Sequence, residues 1–495
     1  MGIEIERCEF EEADYARFAA RLRESLEVLG HLVERPGFGE GPASVGAELE
    51  VSLVDDTMRP LPFNQAVLAE TVDPRLTYEL DRFNLESNLR HGPLEGTPFA
   101  ALRRECVGAL EEMQRAAARL GGRVAMIGIL PTLVRGDLEG EDAMTESVRY
   151  RALSTSLRRL REAPFQLDIR GEDVLRIQCD SVAYEGAGTS FQLHLRVSPR
   201  RFARAYNALQ LATPVTLAAS GNSPLFLGHR LWAETRVALF KQAVDPRRER
   251  GAAGEVSRVS FGERWIERAL DLFAENVEHH PPLLPVVDEE DPRAVAAGGG
   301  LPALRELRLH QGTVWRWNRA IYDPDEGGHL RIELRSLPAG PTVTDMLANV
   351  AFQIGLGFAI AREDPAWRAQ VDFAAVHGDY YRAAQSGLDT RLGWPEALGG
   401  PAERVPAPAL VERLLPVAQR GLDLAGVTRA DAEPLLACFE RRARTGTTGA
   451  AWQLRNLARA EATRPREEAL AWMLEHYLER SEAGEPVDRW TDPPA

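Results

Sequence analysis

The sequence predicts an α+β fold with an antiparallel sheet, and three observations carry that reading. Clean two-residue alternation appears in separate segments, best in SFQLHLRVS (Ser190–Ser198) and LRIELRSL (Leu330–Leu337). Between such segments lie long stretches of helical periodicity, not the regular strand–helix alternation that builds a parallel sheet. From Val343 onward the pattern is almost wholly helical, interrupted by proline- and glycine-bearing turns around 393–408 and 444–449. The organisation expected is a catalytic unit over 1–395 and a helical C-terminal extension over 396–495.

Taken in order, Glu11–Glu34 reads as an amphipathic helix with Tyr15, Phe18, Leu22, Leu26, Leu29 and Leu32 near one face, ended by the loop Pro36–Ser44. Val45–Val54 alternates as a strand, and Tyr78–Arg90 (YELDRFNLESNLR) is read as a second extended segment. Phe99–Leu120 is helical and closed by Gly121-Gly122. Val124–Leu130 is read as a short apolar strand, and Arg149–Ala163, Pro199–Ser220 and Leu231–Gln242 as helices. Val286–Gly300, acidic and then glycine-rich, is read as a surface loop. His279-His280 before two prolines is also read as exposed loop.

Length and composition set limits. The chain has 495 residues, 44% hydrophobic and 27% charged, as expected of a protein that buries a core. The formal charge is −15, from 59 basic and 74 acidic residues, which argues against non-specific nucleic-acid binding. Cys8, Cys106, Cys179 and Cys438 form no CxxC pair, so a reducing cytoplasm is expected. The opening MGIEIERCEF has no apolar core of a secretory signal. Met346–Ala361, the most apolar long stretch, is read as a buried helix.

The chemical signal is polar residues on one side of strands whose other side is apolar. Glu48 and Glu50 lie two apart, as do Asn84, Glu86 and Asn88, then Gln192, His194 and Arg196, then Arg331, Glu333 and Arg335. Any one such face also reads as the solvated side of a half-exposed strand. Collectively they hold Glu, Asn, His and Arg and no lysine. Carboxylates brought within ~4 Å repel by ~4 kcal/mol per pair at an effective dielectric near ~20, so a cation is needed between them. Oxygen-rich ligands select Mg²⁺ or Mn²⁺, and the arginines would take the phosphate oxygens left over. Metal with arginine is what phosphoryl transfer requires. Arg319 is a further anion-binding candidate, whereas His310, Trp315 and Trp317 read chiefly as packing. No Walker A motif occurs. Gly355 and Gly357 read as packing glycines, and Arg444–Gly449 as a turn and helix cap.

These residues resemble a known family. Gly46-Ala47-Glu48-Leu49-Glu50 resembles the GxExE opening strand of the second glutamate–cysteine ligase family, the carboxylate–amine ligases. Phe83-Asn84-Leu85-Glu86, Arg149-Tyr150, Phe191-Gln192-Leu193-His194, Gly221-Asn222-Ser223-Pro224, Thr313–Arg319, Arg331–Arg335, Ala384–Asp389 and Thr447–Gln453 follow in the family's order. The resemblance implies a glutamine-synthetase-like domain whose curved antiparallel sheet forms a funnel. It implies that Glu48, Glu50, Glu86, His194 and Glu333 hold Mg²⁺, that Arg236 and Arg335 steady a transferring phosphate, and that Asn222 and Ser223 contact the pocket. It further implies ATP, a small carboxylate and an amine as substrates, with glutamate and cysteine the first choice, and allows a homo-oligomer. Gln192 departs from the pattern by standing where the family usually has a histidine. Other amine acceptors, a guanidino-kinase-like phosphotransferase and a non-catalytic homologue are the alternatives.

Overall fold

The computed structural model describes residues 3–140, 142–247, 256–363, 365–395 and 402–494. Among these, seven strands join in one sheet: β1 (Ser44–Val54), β2 (Leu76–Tyr78), β3 (Asn84–Pro93), β4 (Arg123–Ala125), β5 (Phe191–Arg196), β6 (Asn318–Asp323) and β7 (His329–Leu334). Their order is β6-β7-β5-β1-β3-β2, every pairing is antiparallel, and β4 pairs with Ser52–Val54 of β1, beyond the end of β5 on the same edge. The α+β class is therefore the one expected.

The helices that bear on the sheet and the site are α1 (Glu12–Glu34), α2 (Pro98–Arg119), α3 (Val148–Arg161), α4 (Pro199–Ala218), α5 (Thr235–Ala243), α6 (Val343–Arg362), α7 (Ala407–Leu424), α8 (Arg429–Thr445), α9 (Gly449–Glu461) and α10 (Arg466–Ala483). The sheet's apolar face, with Leu49, Val51, Leu85, Leu193, Leu195, Ile332 and Leu334 buried, packs on α2 and α4. Behind these lies α6, largely apolar apart from a buried stripe of Asp345, Asn349 and Gln353, and enclosed by α2, α4, α7 and α8. Gly355 of α6 and Gly421 of α7 meet backbone to backbone: a Cβ at Gly421 would fall 1.7 Å from the Gly355 carbonyl oxygen. Thr448 caps α9, accepting from the Ala451 N–H at 3.1 Å.

Four local readings need correction. Tyr78–Arg90 is not one strand, because residues 79–83 turn between β2 and β3. Of 124–130 only Val124 and Ala125 join the sheet, because past Ser52 that edge of β1 is taken by β5, and Ile129 makes an isolated bridge to Gly188. The loop 286–300 contains a helix, Pro292–Ala297, because Asp291 caps it ahead of proline, accepting from Arg293 N at 3.0 Å and Ala294 N at 3.1 Å. His280 is buried and His279 exposed at a helix end. The boundary expected at 395/396 adjoins residues 396–401, which lie outside the described residues. The four cysteines are free thiols.

His310 gives the fold a pH dependence. It is 1% exposed, with Nε2 facing the Asn276 carbonyl at 2.9 Å. Burial outweighs that bond and, with a further push from Arg258, draws its pKa from 6.5 to about 4. The folded chain thus favours the neutral ring. Its contribution, on the order of 3 kcal/mol, is whole above the unfolded pKa and is lost as pH falls toward the folded one. His310→Gln keeps a donor for Asn276 but cannot titrate. The wild type's advantage over it, read from urea midpoints, should shrink by about 2 kcal/mol between roughly pH 7 and 4.5; a constant gap counts against this account.

Candidate active site

Register places the acidic residues together. Across β1 and β3, Glu50 stands opposite Glu86 and Glu48 opposite Asn88. Across β1 and β5, Glu48 faces Gln192 and Gly46 faces His194. Across β5 and β7, His194 faces Glu333, which in turn faces Arg319 on β6. Directly paired residues share a face, so all of these project to the side opposite the packed core. Two adjoining basins lie over that face and meet at Glu48: one lined by His194, Arg196, Asp323 and Arg331, the other by Glu50, Glu79, Glu86, Arg149, Glu185 and Arg335.

The side chains form two clusters, Glu48–His194–Glu333 and Glu50–Glu79–Glu86, each with ligand atoms within 4.8 Å of one another. In the first, His194 Nε2 stands 3.1 Å from Glu48 and 3.8 Å from Glu333, buried and without a well-aligned hydrogen bond. Two carboxylates and an imidazole nitrogen aimed at a common point are a cation donor set, and the residues fit a divalent ion. Arg331 Nε donates to His194 Nδ1 at 3.1 Å, which puts a neutral ring's proton on Nε2. The ring offers Nε2 to a cation only when Arg331 releases Nδ1.

The clusters differ in charge. Burial alone would raise Glu333, but Arg319, Arg335 and His194 hold it at about 2. Arg319 grips it with two parallel bonds of 2.6 and 2.8 Å. In the second cluster burial prevails. It raises Glu50, with Glu48 it pushes Glu86 up to about 7, and with Glu86 and Glu50 it drives Glu79 well above the usual carboxylate range. Glu185, on the turn of helix Ala183–Gly186, is likewise raised to about 7 by burial. Carboxylates so crowded and dry stay ionised at neutral pH only with a cation among them.

Gln192 belongs to neither cluster. Its Nε2 donates to Glu50 at 2.5 Å while Arg335 donates to its Oε1, so a neutral carboxamide dipole bridges a carboxylate and a guanidinium. His194 reaches Glu48 and Glu333 with glutamine at that position. Arg335 also stands 3.4 Å from Glu333, and its buried Nε has no hydrogen-bond partner among the described residues. Arg236 lines a small recess with Glu50, Glu185 and Arg335. Arg331, paired with Asp323, lines the first basin.

Asn222 and Ser223, expected at the pocket, are fully buried behind it. Ser223 donates to Glu234 at 2.8 Å and Asn222 to the Ala339 carbonyl at 2.7 Å. Trp317 is buried and borders the small recess, whereas Trp315 reaches the second basin. Sequence reasoning missed Glu79 and Glu185. In an unbroken strand Glu79 would face away from Glu86, and only the turn at 79–83 returns it to the same side. Glu185 sits on a single helical turn that carries no periodic signal.

The fold has solved counterparts. The glutamate–cysteine ligase of Francisella tularensis, in complex with AMP, superposes with a TM-score of 0.56 at 10% identity over 90% of each chain. A bifunctional glutathione synthetase from Pasteurella multocida gives 0.48 at 12% identity, over 93% of this chain and 55% of that one. At identity this low, the first of these likenesses shows the fold alone. No curated protein sequence matches the chain. The sequence model of glutamate–cysteine ligase family 2 matches residues 44–471, a span that contains the whole sheet and both acidic clusters. The chain belongs to glutamate–cysteine ligase family 2, and is a carboxylate–amine ligase.

Proposed function

We propose that this ligase is ATP- and Mg²⁺-dependent, activates a carboxylate as an acyl phosphate and passes it to an amine, with glutamate and cysteine as first-choice substrates and γ-glutamylcysteine as product. The observation that carries this is the pairing of two carboxylate clusters with Arg236, Arg319, Arg331 and Arg335 around two adjoining basins and a small recess. Glu48, His194 and Glu333 would hold one Mg²⁺, and Glu50, Glu79 and Glu86 a second. Bound there, the ions would neutralise charge on the nucleotide's terminal phosphates.

The chain's own groups do the remaining work. Arg335, held by Gln192 and Glu333 but with a spare Nε, meets the transferring phosphate, and Arg236 meets it from the recess. Arg319 keeps Glu333 ionised and aimed. The donor carboxylate oxygen attacks the γ-phosphorus and ADP leaves with the broken bond's electrons. The amine then attacks the acyl carbon, phosphate leaves, and the amine's proton is lost. Trp315, Tyr150 and Tyr78 line the second basin and limit water, which would otherwise hydrolyse the acyl phosphate. Residues 1–395 are proposed as the catalytic unit and 396–495 as its helical brace. The free thiols support a cytoplasmic setting.

The test is a screen for ATP consumption with Mg²⁺, comparing glutamate alone with glutamate plus each candidate amine. ADP, phosphate and an amide support ligation; ADP with a stable phosphoguanidine would replace it with kinase chemistry. Glu48→Ala and Glu333→Ala should each lower ATP turnover by about 10³-fold or more with an unchanged circular-dichroism spectrum. Near-normal turnover in either sinks the cation-floor account. Arg335→Lys should cost about 10²-fold, because a point charge cannot replace a planar fork, and a loss under threefold would contradict the role given to Arg335.

A further inference from the structure

A run of buried hydrogen bonds lies behind the recess, and of its members only Arg236 has a part in the reaction as set out above. Arg236 Nε donates to Glu234 at 2.6 Å, and a terminal nitrogen donates to the Ser336 carbonyl at 2.9 Å. Arg236 also lines the recess beside Arg335. Glu234 is 0% exposed and accepts twice more, from the Ser223 hydroxyl at 2.8 Å and the Asn222 N–H at 2.9 Å. Asn222 is in turn gripped by the C-terminal helices. Its Nδ2 donates to the Tyr477 hydroxyl of α10 at 2.8 Å, and its Oδ1 accepts from Gln453 of α9 at 3.0 Å. The Tyr477 hydroxyl itself donates to the Met126 carbonyl at 2.8 Å. Gly449 makes room for this contact, since a Cβ there would fall 2.0 Å from Asn222 Oδ1.

Stability alone does not call for such an arrangement, because a buried ion pair is often no better than apolar residues of the same volume. What it does is fix direction. With two donors of Arg236 tied to rigid acceptors, the remaining edge of the fork can point only into the recess. We infer that Glu234 is a positioning residue for Arg236, and that Tyr477 and Gln453 carry the same brace into the C-terminal helices. This rests on the ligase reading, in which Arg236 steadies the acyl phosphate.

The readout is ADP formed per amide formed. Partial unfolding leaves that ratio unchanged, because unfolded molecules make neither product. In the wild type it is one. A loosened Arg236 lets water attack the acyl phosphate, giving back the free carboxylate and inorganic phosphate, so ADP accumulates without amide. Glu234→Gln, which removes the charge and one acceptor, should raise the ratio about threefold or more while KM for ATP stays within about twofold. Tyr477→Phe leaves the Arg236–Glu234 pair intact and should raise it about twofold; it also decides the matter if Glu234→Gln does not fold. A ratio of one in Tyr477→Phe and in folded Glu234→Gln overturns the inference. A wild type that makes no amide removes the ligase reading, and this inference with it.

Discussion

The repulsion among Glu48, Glu50, Glu79, Glu86, Glu185 and Glu333 is the constraint around which the site is arranged. It is met in two ways. Around Glu333 the chain supplies its own cations, Arg319 and Arg335, and the carboxylate is held at about 2. Around Glu79, Glu86 and Glu185 burial outweighs what opposes it, and Glu86 and Glu185 rise to about 7. One half of the floor is balanced and the other calls for charge from outside. Glu48, shared by both basins, is where the halves join.

Much of this was legible in the sequence because a sheet face is a parity rule. Glu48, Glu50, Glu86, His194 and Glu333 each sit at the polar positions of an alternating run, and antiparallel register turned that common parity into contact. What parity cannot reach was missed. Glu79 comes back to the face through a turn, and Glu185 through one turn of helix. Asn222 and Ser223 were placed at the pocket by likeness to a motif, yet they act one layer back, on Glu234. Helix 292–297 was hidden because six residues rich in alanine and glycine neighbours look like loop until the Asp291–Pro292 cap is weighed.

Gln192 illustrates how a departure from a pattern can be accommodated locally. Glu50 needs a donor and Arg335 an acceptor, and one carboxamide offers both without carrying charge. The position therefore tolerates a neutral residue while His194, two places along and on the same face, keeps its carboxylate partners.

Helix α6 carries a different lesson. It draws its covering from segments scattered over the chain: α2 and α4 come before it, α7 and α8 after. By length and composition it is apolar enough to cross a membrane, although here it is wrapped in protein. During synthesis it therefore emerges before half of its shelter exists. A polypeptide interrupted ahead of residue 407 would bare that flank, inviting a chaperone, a bilayer or another unfinished copy to take the vacant place.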